Sequence, residues 1–358
     1  MHIMDIKLNI NWQISALEEQ SVDPLLFELL AEIKILGSLK QATIKTNVSY
    51  RFAWGLLTKW QQILGQPLVL LERGRGASLS PAGEKLLNAN SQLIARFAPA
   101  LDNFSTQFKR EFETLLDKAN SPSLSIFASH GLAIGTLREL LNTQSNFKLD
   151  LHFHGSLESL RALNNGECEI AGFHIPDGPL AKTLAPQYIN ILDPKKYQLI
   201  YVVKRNQGLM VQQGNPKNIQ SIKSLRDDKV EFINRQTDSG TRLLLDQLLD
   251  AEGVSSNEVM GYENEEFTHM AVAAMIASNV VDVGFGIAPM ADKFKLEFIP
   301  LVWEHYCLAI PIALAHDDRV KLIASLLQSH DFKQDLVGFS GYDVSRSGEI
   351  VPFKDIFS

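Results

Sequence analysis

Apolar residues recur at helical spacing from Leu26 through Leu29, Leu30 and Ile33 to Leu36, a run that Asp23-Pro24 opens and Gly37 stops. Ser38 caps a short helix to about Thr46, and Asn47 suits a turn. Ser49 then caps a third helix whose buried stripe is Ala53, Leu56, Leu57, Trp60 and Leu64. Pro67–Leu71 and Ala77–Leu79 read as strands around a turn at Arg73–Gly76. Pro81 opens a helix toward Lys118, striped by Phe97, Leu101, Phe104, Phe108, Phe112 and Leu115, and Pro99 is expected to kink or break it. The run Ala119–Ser123 reads as a linker. From Leu124 the pattern becomes strand-then-helix units. They pair Leu124–Ala128 with Leu132–Leu141 and Leu149–Phe153 with Leu157–Leu163. Glu169–His174 follows as a strand, then Val230–Ile233 with Thr241–Ala251, and Phe267–Ala277 with Val281–Phe285. Such alternation implies mainly parallel sheets with covering helices, in two small lobes with a cleft between them.

Helix, tight turn, helix and basic-tipped hairpin, in that order, describe a winged helix-turn-helix. Charge supports this. Lys34 to Lys85 holds eight Lys or Arg (34, 40, 45, 51, 59, 73, 75, 85) against Glu72 and Glu84, a net of +6. The rest of a chain with net charge −7 therefore sums to −13, so one region suits polyanions inside a chain that otherwise repels them. The first turns of the second helix of such a pair enter the major groove. Ser49, Tyr50, Arg51, Trp54 and Lys59 are accordingly the candidates on the helix, and Arg73 and Arg75 those on the hairpin, for phosphate or narrow-groove contact. Taken alone, the hairpin reads equally well as a solvated turn. Joined to the helix pair, it reads as a wing.

The 358 residues suffice for two or three domains. Cys168 and Cys307 are isolated and can build neither a disulfide framework nor a thiolate zinc site. The N-terminus lacks a signal-peptide apolar run, and no stretch approaches the roughly 18 apolar residues of a membrane span, so a cytoplasmic location is expected. No nucleophile elbow or HExxH pattern occurs, and no catalytic residues and no metal site are expected.

The same small-hydroxyl chemistry stands at three strand ends: Ser129-His130-Gly131, Gly155-Ser156, and Asp238-Ser239-Gly240-Thr241. Each lies at a helix start, where free N–H groups and the dipole attract anions, and Arg235 adds a full charge and a donor fork. Glu266 and Thr268 open a further helix that is expected to face the cleft as well. Plain N-caps would look the same singly; three of them with an arginine favour an oxyanion pocket. His130, His152, His154, His174 and His269 also fall at strand ends or helix starts, with His152 and His154 on one strand face. The His152–His154 spacing could hold zinc or nickel, but no carboxylate or thiol is expected at a matching position; His130 or His154 is expected instead to line the pocket and donate to the ligand, or to be structural.

Two resemblances add to these readings. Ser49-Tyr50-Arg51-Phe52-Ala53-Trp54, with Leu79-Ser80-Pro81-Ala82-Gly83 at the exit, resembles the DNA-binding domain of molybdate-responsive ModE-type regulators, a relative of that of the LysR family. It covers about 70 residues, Pro24 to roughly Asn90, and departs in having Ser80 where Thr is commoner. In those regulators the helix that follows pairs two subunits, which implies a homodimer here. The second half resembles a periplasmic-binding-protein-like domain fused to bacterial regulators and molybdopterin-related proteins. The match rests on Phe232–Gln236, Asp238–Asp246, Gly261–Glu263, Glu266–Ala274 and Asp282–Ile287. The Arg235-x-x-x-Ser239-Gly240-Thr241 spacing is also similar to tungstate-binding transport proteins, which implicates Arg235, Ser239 and Thr241; Ser129 and Ser156 match less closely.

The expected architecture is an α+β winged helix-turn-helix domain (1–90), a connecting dimerisation helix and linker (91–121), and an α/β two-lobed type II periplasmic-binding-protein-like domain (122–358). Lobe I spans about 122–203 and 299–358, and lobe II about 204–298. The expected ligand residues are Ser129, His130, Ser156, Arg235, Ser239, Gly240, Thr241 and Thr268, with no cofactor. The expected function is a DNA-binding transcriptional regulator with molybdate or tungstate as effector. Two alternatives stay open: a regulator of an organic ligand such as a molybdopterin-type cofactor, and a non-regulatory factor of molybdenum-cofactor assembly.

Overall fold

The computed structural model describes residues 6–15, 19–72, 76–115, 122–237 and 239–357. The chain divides into two compact units, Asn9–Ala95 and a larger one that holds Arg96–Ser358.

In the smaller unit, β1 (Gln13–Ser15) pairs antiparallel with β2 (Glu19–Ser21). Then come α1 (Leu25–Leu36), α2 (Leu39–Lys45), α3 (Tyr50–Leu64) and the antiparallel hairpin β3 (Val69–Glu72) and β4 (Gly76–Leu79). The helix boundaries follow from local chemistry. The Asp23 carboxylate accepts the Leu25 N–H at 3.0 Å, Ser38 Oγ accepts from Gln41 at 3.3 Å, and Ser49 Oγ accepts from Phe52 at 3.1 Å. Gly37 ends α1 at φ 63° and Asn47 turns between α2 and α3 at φ 55°, both in the left-handed region. Leu26, Leu29, Leu30, Ile33, Ala53 and Trp60 are fully buried in one core. Each of its large apolar side chains contributes about 1.5–3 kcal/mol by leaving water. α4 (Pro81–Leu115) begins where Ser80 Oγ accepts the Gly83 N–H at 3.1 Å. Pro99 lies inside it and does not end it, so of the expected kink or break the break does not occur.

The larger unit is built on one continuous sheet. Its strands are β5 (Ser123–Ala128), β6 (Lys148–Phe153), β7 (Ile170–Pro176), β8 (Tyr197–Val211), β9 (Phe232–Arg235), β10 (Glu265–Glu266), β11 (Val283–Ile287) and β12 (Glu297–Pro311), with β13 (Tyr342–Asp343) and β14 (Ile350–Val351) each pairing antiparallel with β8 off the main path. Their order is β10-β9-β11-β8-β12-β7-β5-β6. The helices are α5 (Leu132–Gln144), α6 (Ser156–Asn165), α7 (Pro179–Ile189), α8 (Gly240–Ala251), α9 (His269–Ala277), α10 (Ala288–Lys293), α11 (Asp318–Gln328) and α12 (His330–Val337). β5, β6 and β7 pair in parallel, as do β9, β10 and β11. Separate buried apolar clusters cover the faces of each half.

The expectation of a mainly parallel sheet is corrected by β8 and β12. These 15-residue strands pair antiparallel from Tyr197↔Pro311 to Val211↔Glu297 and belong to both halves. Their apolar ends hide a polar middle. Arg205, Asn206, Gln207, Glu304 and His305 are buried where the strands pass from one half to the other. A strand covered on both faces reads as a continuous apolar run, and a polar break in it reads as a loop. That is why neither strand emerges from periodicity.

Candidate functional site

A cavity of about 340 Å³ opens in the larger unit where the loops after β5, β6, β9 and β10 come together. These are the carboxyl ends of parallel strands, the usual place for ligands in open α/β sheets. Four helix starts meet there: Ser129 and His130 precede α5, His154 and Gly155 precede α6, Ser239 and Gly240 open α8, and Phe267 and His269 flank the start of α9. The two halves nearly touch at the base. A Cβ on Gly240 would lie 3.1 Å from Ser156 Oγ and 3.9 Å from His174 Cβ, so glycine permits the approach.

Two arginines line the cavity. The partly buried Arg235 is held by Nε donating to the Gln236 Oε1 (3.2 Å) and the Glu266 carbonyl (3.3 Å), and by one terminal nitrogen donating to the Phe267 carbonyl at 2.9 Å. Burial and the like charge of Arg205 push its guanidinium down to about 9. It stays cationic at neutral pH while lacking a carboxylate among the described residues. Arg205 is different. Its Nε donates to Glu304, both side chains being almost fully buried. Burial opposes its charge, but Glu304 and Tyr342 hold the Arg205 guanidinium above its ordinary value.

The histidines add neutral imidazoles. His174 is buried, its ring stacked on Tyr306 at 3.9 Å, its backbone N–H donating to Ser156 Oγ at 3.2 Å, and its ring Nε2 without a hydrogen-bond partner among the described residues. Burial, then Arg205 and Arg235, drive its pKa well below the ordinary histidine value. His269 is depressed likewise, by burial and then Arg235 and Arg205; its Nε2 lies 3.4 Å from Thr241 Oγ1 and its Nδ1 is unpartnered. His130 falls to about 4, chiefly through burial, with Asp102 opposing and Arg138 and Arg235 assisting. Gln207 Nε2 donates to Thr241 Oγ1 at 3.4 Å. The carboxylate on the cavity wall, Glu158, is largely exposed and accepts from His154 Nδ1 at 2.9 Å.

Magnitudes rank these contributions. A charge-assisted hydrogen bond from an arginine contributes about 1.5–3 kcal/mol, and a helix start typically about 0.3–1 kcal/mol. The arginines therefore dominate and the helix starts refine. Positive charge, N–H and O–H donors, and unpartnered imidazole nitrogens suit an anion.

Of the eight residues expected to hold a ligand, the fold brings six to this cavity: Ser129, His130, Arg235, Ser239, Gly240 and Thr241. Ser156 and Thr268 are corrected. Ser156 is fully buried behind the wall and holds His174; Thr268 caps α9 through the Ala271 N–H at 2.9 Å. Asp238 lies outside the described residues. Arg205, His174 as a lining residue, Thr237 and Phe267 were missed. Arg205 had one available signal, a charge within an apolar run opposite a second charge, Glu304, in another such run. His152 pairs with Asp150 at 2.9 Å and His154 with Glu158, so carboxylates do adjoin this histidine pair, against the sequence expectation.

In the smaller unit, the exposed surface of α3 carries Tyr50, Arg51, Trp54 and Lys59, while Ser49 is occupied as the N-cap. Ser49, Arg51, Phe52, Gly55, Leu56 and Lys59 line a shallow open groove along this helix. Arg73 and Arg75 lie outside the described residues.

The family model described as the PBP superfamily domain matches residues 137–328. The uncharacterized protein YvgK of Bacillus subtilis (strain 168) is 36% identical over 199 residues, 56% of this chain and 64% of YvgK. The molybdenum-pterin-binding protein MopB of Rhodobacter capsulatus is 36% identical over 80 residues, 21% of this chain and 30% of MopB. The chain thus spans less than two thirds of each of these relatives. An uncharacterized Clostridium pasteurianum protein, from the 5' region of a ferredoxin gene, is 34% identical over 110 residues, 30% of this chain and 97% of that protein. Among solved structures, an OxyR of Corynebacterium glutamicum aligns over 88% of this chain and 94% of its own at TM-score 0.45 and 12% identity. A phosphate transport receptor from Vibrio cholerae aligns over 61% and 98%, at TM-score 0.45 and 15% identity. Likeness at that level carries no function across. No described helix is long and apolar enough to cross a membrane.

Proposed function

The chain belongs to the PBP superfamily, and from that premise we propose that it is a DNA-binding transcriptional regulator whose larger unit senses a small oxyanion, molybdate or tungstate. The observation that carries the reading is the cavity: Arg235 without a described carboxylate partner, the unpartnered His174 Nε2 and four helix starts on one wall set. Arg235 and the helix starts are donors, the His174 Nε2 is one in the tautomer that carries its proton there, and a fully ionised oxyanion is an acceptor at every oxygen. The choice of molybdenum or tungsten rests on the Arg235–Thr241 spacing and on similarity to a relative named for molybdenum-pterin binding. The regulator half rests on the order of α1, α2, α3 and the β3–β4 hairpin, with the cationic side chains of α3 exposed.

The protein acts as a homodimer in this reading. Phe97, Phe104, Phe108 and Phe112 of α4 are exposed at helical spacing, a stripe that a second copy would cover. Binding rather than catalysis is its work, and lobe closure on the ligand changes its affinity for DNA only because the two states bind the ligand unequally.

Thermal unfolding with molybdate, tungstate, sulfate and phosphate tests the sensor. A ligand at about 100 times its Kd adds about 2.7 kcal/mol to stability. A shift with molybdate or tungstate alone supports the reading, and no shift with any of the four sinks it. A second reading, an organic anion such as a pterin, has one observation in its favour. The cavity volume is at the lower end of the roughly 300–1,000 Å³ of organic-ligand pockets, and Phe153 and Phe267 line it.

A further inference from the structure

The part of α4 from Arg96 onward belongs to the larger unit and reaches both of its halves. Asn103 clamps the end of β6: its Nδ2 donates to the Phe153 carbonyl at 3.0 Å and its Oδ1 accepts the Phe153 N–H at 2.6 Å. Asp102 accepts from Arg138 of α5 at 3.1 Å, and Pro99 contributes to the cavity wall. On the other half, Arg96 Nε lies 3.8 Å from Glu266 Oε2. That distance makes an ion pair but is too long for a hydrogen bond. Glu266 is buried and its Oε2 has no hydrogen-bond partner among the described residues, an expensive arrangement for a carboxylate.

The same short segment holds Arg235, which makes no ion pair among the described residues. Arg235 donates to the carbonyls of Glu266 and Phe267, and β9 pairs with β10 at Arg235↔Glu266. Arg235 therefore faces the ligand with its charge, and its hydrogen bonds fix the backbone of the residue that meets α4. We propose that Glu266 couples the cavity to α4: an anion taken up by Arg235 moves the Glu266–Phe267 segment, brings the Glu266 carboxylate into hydrogen-bond contact with Arg96, and fastens α4 to both halves. This rests on the anion-binding reading above and names its regulation. Glu266 and Arg96 are positioning residues, acting through Arg235 and α4. α4 is continuous in sequence with the smaller unit, so its fastening is a signal that unit can receive.

Hydrogen–deuterium exchange of the peptide covering residues 94–112 tests this in the full-length protein, with saturating tungstate as probe. In the wild type, tungstate should slow exchange there by roughly tenfold. Glu266→Gln and Arg96→Gln should each keep the tungstate-induced thermal shift and lose the slowing. Slowing that survives in both variants overturns the proposal, as does a wild type that gains the thermal shift with no change in α4. Arg96 is half-exposed, so its variant remains informative if Glu266→Gln fails to fold. Should none of the four oxyanions shift the wild-type melting, the sensor reading fails separately. The anchor is then judged without ligand, where Arg96→Gln must speed exchange in this peptide, and unchanged exchange overturns it.

Discussion

The cavity and the outer face of α3 are both cationic, yet they are built in opposite ways. In the cavity, charge is desolvated. Arg235 is pushed down to about 9 and His130 to about 4, while Glu304 and Tyr342 hold Arg205 above its ordinary value against its burial. On α3, Arg51 and Lys59 are exposed and surrounded by water. Buried charge acts over a few ångströms, at low dielectric, on one ligand of the right size. Exposed charge acts over about a Debye length, is weakened by salt, and suits a long polyanion. Net charge alone, negative for the chain, would have missed both.

The difference is sharpened first at Glu304. Glu304→Ala leaves Arg205 buried without its partner and should lower unfolding stability by about 3–5 kcal/mol, read by urea denaturation. Tungstate should restore part of that loss by supplying the missing negative charge. Wild-type stability in the variant would show that the cavity tolerates a free buried arginine.

Arg235→Ala should weaken tungstate binding by about 30- to 150-fold, equivalent to about 2–3 kcal/mol, in calorimetric titration. DNA affinity without ligand should not change. If tungstate affinity survives, the cavity is not the anion site.

Acid should act on the cavity before it touches α3. His130 is depressed in the folded state to about 4 from an ordinary value of 6.5, so between those values the unfolded chain binds more protons. Stability then rises with pH across this window and is lost on acidification through it, by up to about 1.4 kcal/mol per pH unit from this group. His130→Asn should flatten the dependence, and an unaltered slope would mean that other groups carry it.

The smallest effect belongs to the exposed face. Lys59→Ala should reduce the slope of log affinity against log salt for duplex DNA by about 1, measured by fluorescence anisotropy. An unchanged slope would remove Lys59 from the DNA contact while leaving Arg51 to be tried in the same way.

Much of the local structure was legible. Ser38, Ser49 and Ser239 announce the starts of α2, α3 and α8, and each hydroxyl accepts a backbone N–H of its first turn. The site was legible where it is local in sequence, from Arg235 to Thr241. It was misread where a hydroxyl at a helix start was taken for a ligand group. Ser156 and Thr268 are hydroxyl residues at helix starts, as Ser129 and Ser239 are near theirs, and Ser239 is as buried as Thr268; what separates them is that only Ser129 and Ser239 line the cavity.

The sequence by itself determined the helical stripes, the caps, the strand–helix alternation and the cationic character of the region from Lys34 to Lys85. These depend on the period of side chains along the backbone and on groups a few residues apart. Only the tertiary structure decided that Arg205 of β8 and His174 of β7 share a wall with Arg235 of β9, and that Glu304 of β12 partners Arg205. Strand order sets which strand ends meet. That order is fixed by pairing between residues such as Arg205 and Glu304, about a hundred positions apart, for which the local pattern has no signal.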